Sequence, residues 1–339
     1  MNIKAGTAYN AGTNIYYEVL GNPAHETLLL ISGLGSQLVY WTDELCQVFV
    51  DRHFQVVRFD NRDVGLSSKT SGPAQPVSKI LRSEGVNAPY SLSDMAADTI
   101  GILDALEIET AHMMGVSLGG MIAQTLAIEF PQRVRSLVSI MSAPSPRMAI
   151  SDDDISAEAV SKSLTLDLNN SETYVDLQVE GYRATSGPHF DDAYIRQILQ
   201  YSFNRCYHPA GWSFQMAAAR ASGDRLSGLS RLTLPSLIIH GAADPLIPVS
   251  SGQATAAAIP NARLMIIEDM GHCLLAPHWA PVADAVAELA KNARHLPLPT
   301  TYPYIMSQPC ATLSRTCGIP IYVTLVSDPN VSNGEPTSA

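Results

Sequence analysis

Charge is sparse in this chain, and positive charge more so: charged residues make up 16% of 339, with 21 Lys plus Arg against 32 Asp plus Glu, a formal net charge of −11. An acidic chain repels phosphate backbones and anionic bilayers, which argues against nucleic acid or a membrane surface as its partner. Cysteine is also scarce. The five thiols, Cys46, Cys206, Cys273, Cys310 and Cys317, are odd in number and show neither a Cys-x-x-Cys pair nor a Cys/His spacing suited to zinc, so no disulfide framework or thiolate metal knuckle is expected. Nothing approaches the roughly 18 consecutive apolar residues of a membrane span, and Met1-Asn2-Ile3-Lys4-Ala5-Gly6-Thr7 lacks the apolar stretch of a secretory leader. The expectation is a cytoplasmic protein without membrane insertion, a monomer or homodimer. No internal repeat is visible.

What is present is a globular balance: 46% hydrophobic residues with 22 Gly and 22 Pro. On a prior of roughly 150 residues per domain the length suits one large domain or two smaller ones. Short apolar, β-branched runs alternate with helical patterns, the sequence form of an α/β fold with a mostly parallel central sheet and helices on both faces. Strands are expected at Gly12 to Leu20, Thr27 to Ile31, Gln55 to Phe59, His112 to Gly115, Val134 to Met141, Ser236 to His240 and Arg263 to Ile267. Helices are expected at Ser93 to Leu106 with Ser93 as N-cap, at Leu118 to Phe130 before Pro131, and at Pro281 to Asn292 with the proline in the first turn.

The rhythm breaks between 143 and 225, where Asp152-Asp153-Asp154 opens a stretch with helical patterns at Ile155 to Leu164 and Tyr194 to Tyr201 and no clear buried strand. This segment is expected to be a helical lid inserted into one core formed by 1–142 and 226–295. From 296 to 339 the composition turns to Pro, Thr, Ser and Cys, the pattern of a flexible tail or processing remnant.

The strongest chemical signal is Gly115-Val116-Ser117-Leu118-Gly119, with Gly120 following, between an apolar strand pattern and a helical one. A Gly-x-Ser-x-Gly in that setting forms a sharp elbow that lifts the serine hydroxyl to the carboxyl end of a sheet and the N-terminus of a helix. A serine is a weak nucleophile at neutral pH and needs a base, which needs an anion to orient it. His272 follows the expected strand at Arg263 to Ile267, and Asp244 follows the one at Ser236 to His240, giving the order Ser, Asp, His. Asp269 is the alternative acid, disfavoured because it lies three residues upstream of His272 on the same loop. The other histidines, His25, His53, His189, His208, His278 and His295 in loops or lid, with His112 and His240 packed in strands, read as structural or surface residues.

An anion site for a tetrahedral intermediate needs two backbone donors. Leu118 supplies one, and Leu34, in Ser32-Gly33-Leu34-Gly35, is the choice for the other. The Gly33-x-Gly35 pair does not extend to a dinucleotide fingerprint, since position 38 is Leu. Met121, Met141, Leu246, Ile247 and Cys273 fall near these elements and predict an apolar pocket for small or medium aliphatic or aromatic groups.

The runs Ile31-Ser32-Gly33-Leu34-Gly35-Ser36, Arg58-Phe59-Asp60-Asn61-Arg62-Asp63-Val64-Gly65-Leu66-Ser67 and Gly115-Val116-Ser117-Leu118-Gly119-Gly120, with Asp244 and Gly271-His272, resemble the α/β-hydrolase superfamily. Within it the sequence is similar to bacterial carboxylesterases related to aclacinomycin methylesterase, over about residues 10 to 293 and including the lid element Asp191-Asp192-Ala193-Tyr194. The resemblance implies a Ser117–Asp244–His272 triad, an oxyanion hole from the Leu34 and Leu118 amides, a small-molecule ester substrate and no cofactor. It reads Asp60, Arg62 and Asp63 as a charged turn propping the oxyanion loop. One departure is Ser32-Gly33, where most relatives carry His-Gly.

Rival chemistries on this fold fall on residue identity: position 117 is not the aspartate of dehalogenases and epoxide hydrolases, and no lysine follows a serine by three residues. Lactonase, perhydrolase, polyester hydrolase and carbon–carbon bond hydrolase share the triad, and pattern does not separate them. A non-catalytic small-molecule receptor, or a scaffold acting through the tail, are readings from other classes. A complete triad is a reactive liability in a pure binder.

Overall fold

The computed structural model describes residues 3–83, 85–148, 170–294 and 296–297. Its first half runs β1 Lys4–Asn10, β2 Thr13–Leu20, β3 Glu26–Ile31, α1 Asp43–Val50, β4 Phe54–Phe59, α2 Val77–Leu81, α3 Leu92–Ala105, β5 Ala111–Val116, α4 Leu118–Glu129 and β6 Val134–Ile140. The second half runs α5 Ser171–Thr185, α6 Asp192–Arg205, α7 Ala210–Ala221, α8 Leu226–Leu229, β7 Ser236–Gly241, α9 Val249–Ala258, β8 Arg263–Ile267 and α10 Ala276–Ala293.

The strands form one eight-stranded sheet in the order β1-β2-β4-β3-β5-β6-β7-β8. β2 pairs antiparallel with β1 and β4, and every other pairing is parallel. The central strands are apolar at nearly every position because both faces are covered. Leu29, Ile31, Met113, Leu137 and Ile238 point into a core shared with α3, α4, α7 and α8. Their alternates Leu28, Leu30, Met114, Val138, Leu237 and Ile239 face α1 and α10. The sheet order reverses direction between β3 and β5, which leaves a crevice beyond their carboxyl ends, where open α/β sheets place their ligands.

Four local expectations are corrected. β1 is an additional strand: most of its residues are exposed, with Ala8 the buried exception, so it carries no apolar run to read. The N-cap of α3 is Ser91, not Ser93: Ser91 and Asp94 form a capping box, while the Ser93 hydroxyl donates to Glu129 at 2.6 Å. The last helix begins at Ala276, with Pro277 in its first turn and Pro281 inside it, because the apolar side chains from Val282 onward hold the helix against the sheet despite one missing backbone donor. His278 therefore lies on a helix, buried, not in a surface loop.

Between β6 and β7 the described residues carry helices α5 to α8 and no strand. Val175 and Val179 of α5 pack on Ile195 and Leu199 of α6 in a cluster of their own, closed by Leu275. α7 belongs to both layers, since Phe214 and Ala218 are part of the main core. The expected helix at Ile155 to Leu164 lies outside the described residues, as does the expected tail beyond residue 297. Among the described residues no helix is long and apolar enough to cross a membrane.

Candidate active site

Ser117 sits between the end of β5 and the start of α4 with φ 54° and ψ −120°, a left-handed conformation that a β-carbon disfavours. The neighbouring glycines make the turn possible. A Cβ on Gly115 would fall 2.0 Å from the Gly119 carbonyl oxygen, and one on Gly119 would fall 2.1 Å from the Ile31 carbonyl oxygen. Any side chain at either place would push α4 off the sheet. The carbonyl of Ser117 is itself held by the Ser142 hydroxyl at 2.7 Å.

Asp244 and His272 arrive from the loops after β7 and β8. The His272 Nδ1 lies 2.7 Å from Asp244 Oδ2, and its Nε2 lies 3.1 Å from Ser117 Oγ. An ionised carboxylate can only accept, so the imidazole proton resides on Nδ1 and Nε2 is left to accept from the serine hydroxyl. Asp244 is positioned by backbone: its Oδ1 accepts from the amides of Leu246 at 2.9 Å and Ile247 at 3.0 Å. Burial pushes the Asp244 carboxyl up, but its electrostatic attraction to His272 and the hydrogen bonds from His240, His272 and Ile247 outweigh it and hold the group well below the usual carboxylate range. Asp269, the alternative acid, instead meets His189 and His278 at 2.5 and 3.3 Å. His240 bonds the Ile247 carbonyl at 2.9 Å, as expected of a packed histidine, and also lies 3.5 Å from Asp244.

The loop after β3 carries Leu34 to the wall of the cavity that Ser117 also lines. The next amide, that of Gly35, donates to Gln215 Oε1 at 2.8 Å, and the same side chain donates from Nε2 to the Arg62 carbonyl at 2.8 Å. Gln215 of α7 thus staples the β3 loop to the turn after β4. That turn is itself anchored by Asp60, fully buried, which accepts from the amides of Leu38 and Leu66 at 2.8 Å each and pairs with Arg205 at 2.7 Å. Arg62 pairs with Asp98 at 2.7 Å, and Asp63 holds the Thr70 hydroxyl at 2.9 Å. The charged turn is therefore bonded into the scaffold beneath the β3 loop. The Ser32 hydroxyl is buried and has no hydrogen-bond partner among the described residues. The α4 N-terminus supplies the Leu118 amide, which as the first helical residue has no acceptor within the helix.

Ser117, His272, Leu34 and Leu118 open on one cavity of about 910 Å³. Met121, Met141, Leu246, Ile247 and Cys273 all line it. The sequence could not point to the rest of the wall: Tyr174 and Tyr182 of α5, Phe203 of α6, Tyr207, and Trp212 and Met216 of α7, together with Tyr40 and Trp41. The rings of Tyr40 and Tyr182 stack at 6.1 Å, and burial raises both phenols above the ordinary range, so they stay neutral. Burial likewise pushes the Cys273 thiol up to about 11, which makes it an inert wall and not a competing nucleophile.

A strand-borne serine in a strained elbow, hydrogen-bonded through histidine to a buried aspartate over an apolar chamber, defines a hydrolase-type site. Residues 26–278 match the family model described as the alpha/beta hydrolase fold, and the chain belongs to that family. Among curated proteins it is 29% identical over 304 residues to rhodomycin D methylesterase DnrP of Streptomyces peucetius, covering 84% of this chain and 97% of that one. It is 25% identical to 3-oxoadipate enol-lactonase 2 of Acinetobacter baylyi, covering 77% and 87%. Among solved structures, a hydrolase from Pseudomonas aeruginosa superposes with a TM-score of 0.62 at 25% identity, covering 87% of this chain and 99% of the other. Relatives of this kind support a hydrolase that cleaves ester-type bonds.

Proposed function

We propose that the protein is a serine carboxylesterase that hydrolyses apolar esters through an acyl-enzyme on Ser117. The observation that carries this reading is the continuous hydrogen-bonded line from Asp244 through His272 to Ser117 Oγ, ending in the cavity. In the first half-reaction His272 Nε2 takes the hydroxyl proton as Oγ attacks the ester carbonyl, and Asp244 stabilises the imidazolium that forms. The amides of Leu34 and Leu118 receive the oxyanion. The tetrahedral intermediate collapses, and His272 gives its proton to the departing alcohol. Water then attacks the acyl group by the same route, and Ser117 is regenerated.

The cavity shifts the expected substrate toward the large end. A volume of about 910 Å³ walled by aromatic rings lies near the top of the roughly 300–1,000 Å³ spanned by small-molecule sites. Esters of bulky, ring-containing acids fit it better than short acyl groups. The rhodomycin D methylesterase relative supports ester cleavage, and helices α5 to α7 act as the lid over the chamber.

The test is hydrolysis of p-nitrophenyl and methyl esters of increasing acyl bulk, from acetate to polycyclic aromatic acids, by the wild-type protein and Ser117→Ala. The expected result is turnover that rises with bulk and falls by about 10⁴- to 10⁶-fold in the variant, with an unchanged circular dichroism spectrum. Equal turnover in a folded Ser117→Ala protein would overturn the proposal.

A further inference from the structure

We propose that His189, Asp269 and His278 form a binding site for a zinc ion that ties the α5–α6 layer to the loop carrying His272. The three residues come from separate segments: His189 from the connection between α5 and α6, Asp269 from the loop after β8, and His278 from the first turn of α10. Folding nevertheless brings one candidate ligand atom of each to within 4.8 Å of the others. Asp269 presents its two oxygens separately, Oδ2 to His189 Nε2 at 2.5 Å and Oδ1 to His278 Nε2 at 3.3 Å.

The donor set and its spacing both suit zinc. Two imidazoles and a carboxylate are ligands it favours, and three protein ligands leave the fourth tetrahedral position to water. Bonds of about 2.0–2.1 Å set tetrahedral ligand atoms about 3.3 Å apart. The two histidine–carboxylate separations, 2.5 and 3.3 Å, lie below and at that figure, so side-chain adjustments of about an ångström would seat the ion. The surroundings fit as well. His278 is buried, with its side chain 4% exposed and Asp269 its side-chain partner, while its Nδ1 has no hydrogen-bond partner among the described residues. Asp269 and His189 are 52% and 35% exposed, which leaves the ion a route in.

The placement gives the site a consequence. The His272 amide donates to the Thr185 carbonyl at 2.6 Å, and the Gly271 amide donates to the Ser186 carbonyl at 3.3 Å. The end of α5 thus already rests on the His272 loop. A zinc ion would close that seam beside these contacts, joining His189 just after them on the helical layer to Asp269 just before and His278 just after the His272 amide, and holding the helical layer and the β8 loop as one piece.

The experiment is calorimetric titration of ZnCl₂ into the untagged, EDTA-stripped full chain, with thermal unfolding followed in parallel. We expect one saturable site per chain and an unfolding temperature that climbs with zinc concentration and returns with EDTA. Both signals should disappear in His189→Ala and in Asp269→Asn, whose metal-free unfolding temperatures show that they fold. Cobalt in place of zinc should give d–d absorption without a thiolate charge-transfer band. The proposal is overturned if the wild type binds no zinc saturably, if either variant binds as well as the wild type, or if cobalt shows a thiolate band, which would place the ion on a cysteine.

Discussion

Two aspartate–histidine groups sit at neighbouring ends of the same sheet, and they are built in opposite ways. Asp244 is buried, fixed by two backbone amides, and faces one nitrogen of His272 while the other faces Ser117. Asp269 is half exposed, faces two histidines from two other segments, and leads to no nucleophile. A charge held in a dry site by fixed donors interacts far more strongly with its partner than one washed by solvent. The buried pair is therefore suited to orienting a base. The exposed one is suited to exchanging partners with solution. Nearness in sequence is a poor guide, since Asp269 is three residues from His272 and yet faces away to His189 and His278.

The comparison breaks most sharply by neutralising each carboxylate in turn. Asp244→Asn should lower kcat by about 10⁴-fold, because the amide favours the wrong imidazole tautomer. Asp269→Asn should change it by less than about threefold, as expected of a half-exposed group away from the reacting atoms. Steady-state kinetics on a single bulky p-nitrophenyl ester measures both. Equal losses would mean that the two loops share the orienting role.

A smaller effect is expected one step further from the chemistry. Gln215→Ala removes the acceptor of the Gly35 amide and the donor to Arg62, loosening the β3 loop that presents Leu34. With one oxyanion donor displaced, kcat should fall by up to about 100-fold with KM little changed. A rise in KM alone would place Gln215 in substrate binding instead.

The smallest effect is on stability in acid. The folded Asp244 carboxyl is depressed below its ordinary value of 3.8. Its ionisation therefore stabilises the fold fully above that value, and the contribution is lost as pH falls through the lower folded one. Urea unfolding of the wild type should weaken more steeply below pH 3.8 than that of Asp244→Asn. Parallel curves would show that the pair adds nothing to the fold.

Legibility in the sequence followed how local each signal is. Ser117 could be read because its elbow, strand and helix are contiguous, and Asp244 and His272 because each directly follows an apolar strand. The family resemblance pointed the same way. The residues that shape the site from a distance could not be read. Gln215 reaches Gly35 across 180 residues, and nothing near either one signals the other. The aromatic wall lies on α5 to α7, where half-buried rings serve both the cavity and the packing of helices, so periodicity cannot say which ring faces inward. β1 was missed because its side chains face solvent and hydrogen bonds to β2 define it. The α3 cap was misplaced by two residues because Ser91 and Ser93 are both capable caps, and the side chain of Asp94 decides between them.

Whether Ser117 is the activated nucleophile is measured most directly by treating the protein with an aryl fluorophosphonate, which reacts only with an activated nucleophile, and mapping the adduct by peptide mass spectrometry. One phosphonyl group per chain is expected, on Ser117, with ester turnover lost in step with labelling. Complete inactivation with the adduct on any other residue, or full turnover by a protein labelled at Ser117, would contradict it.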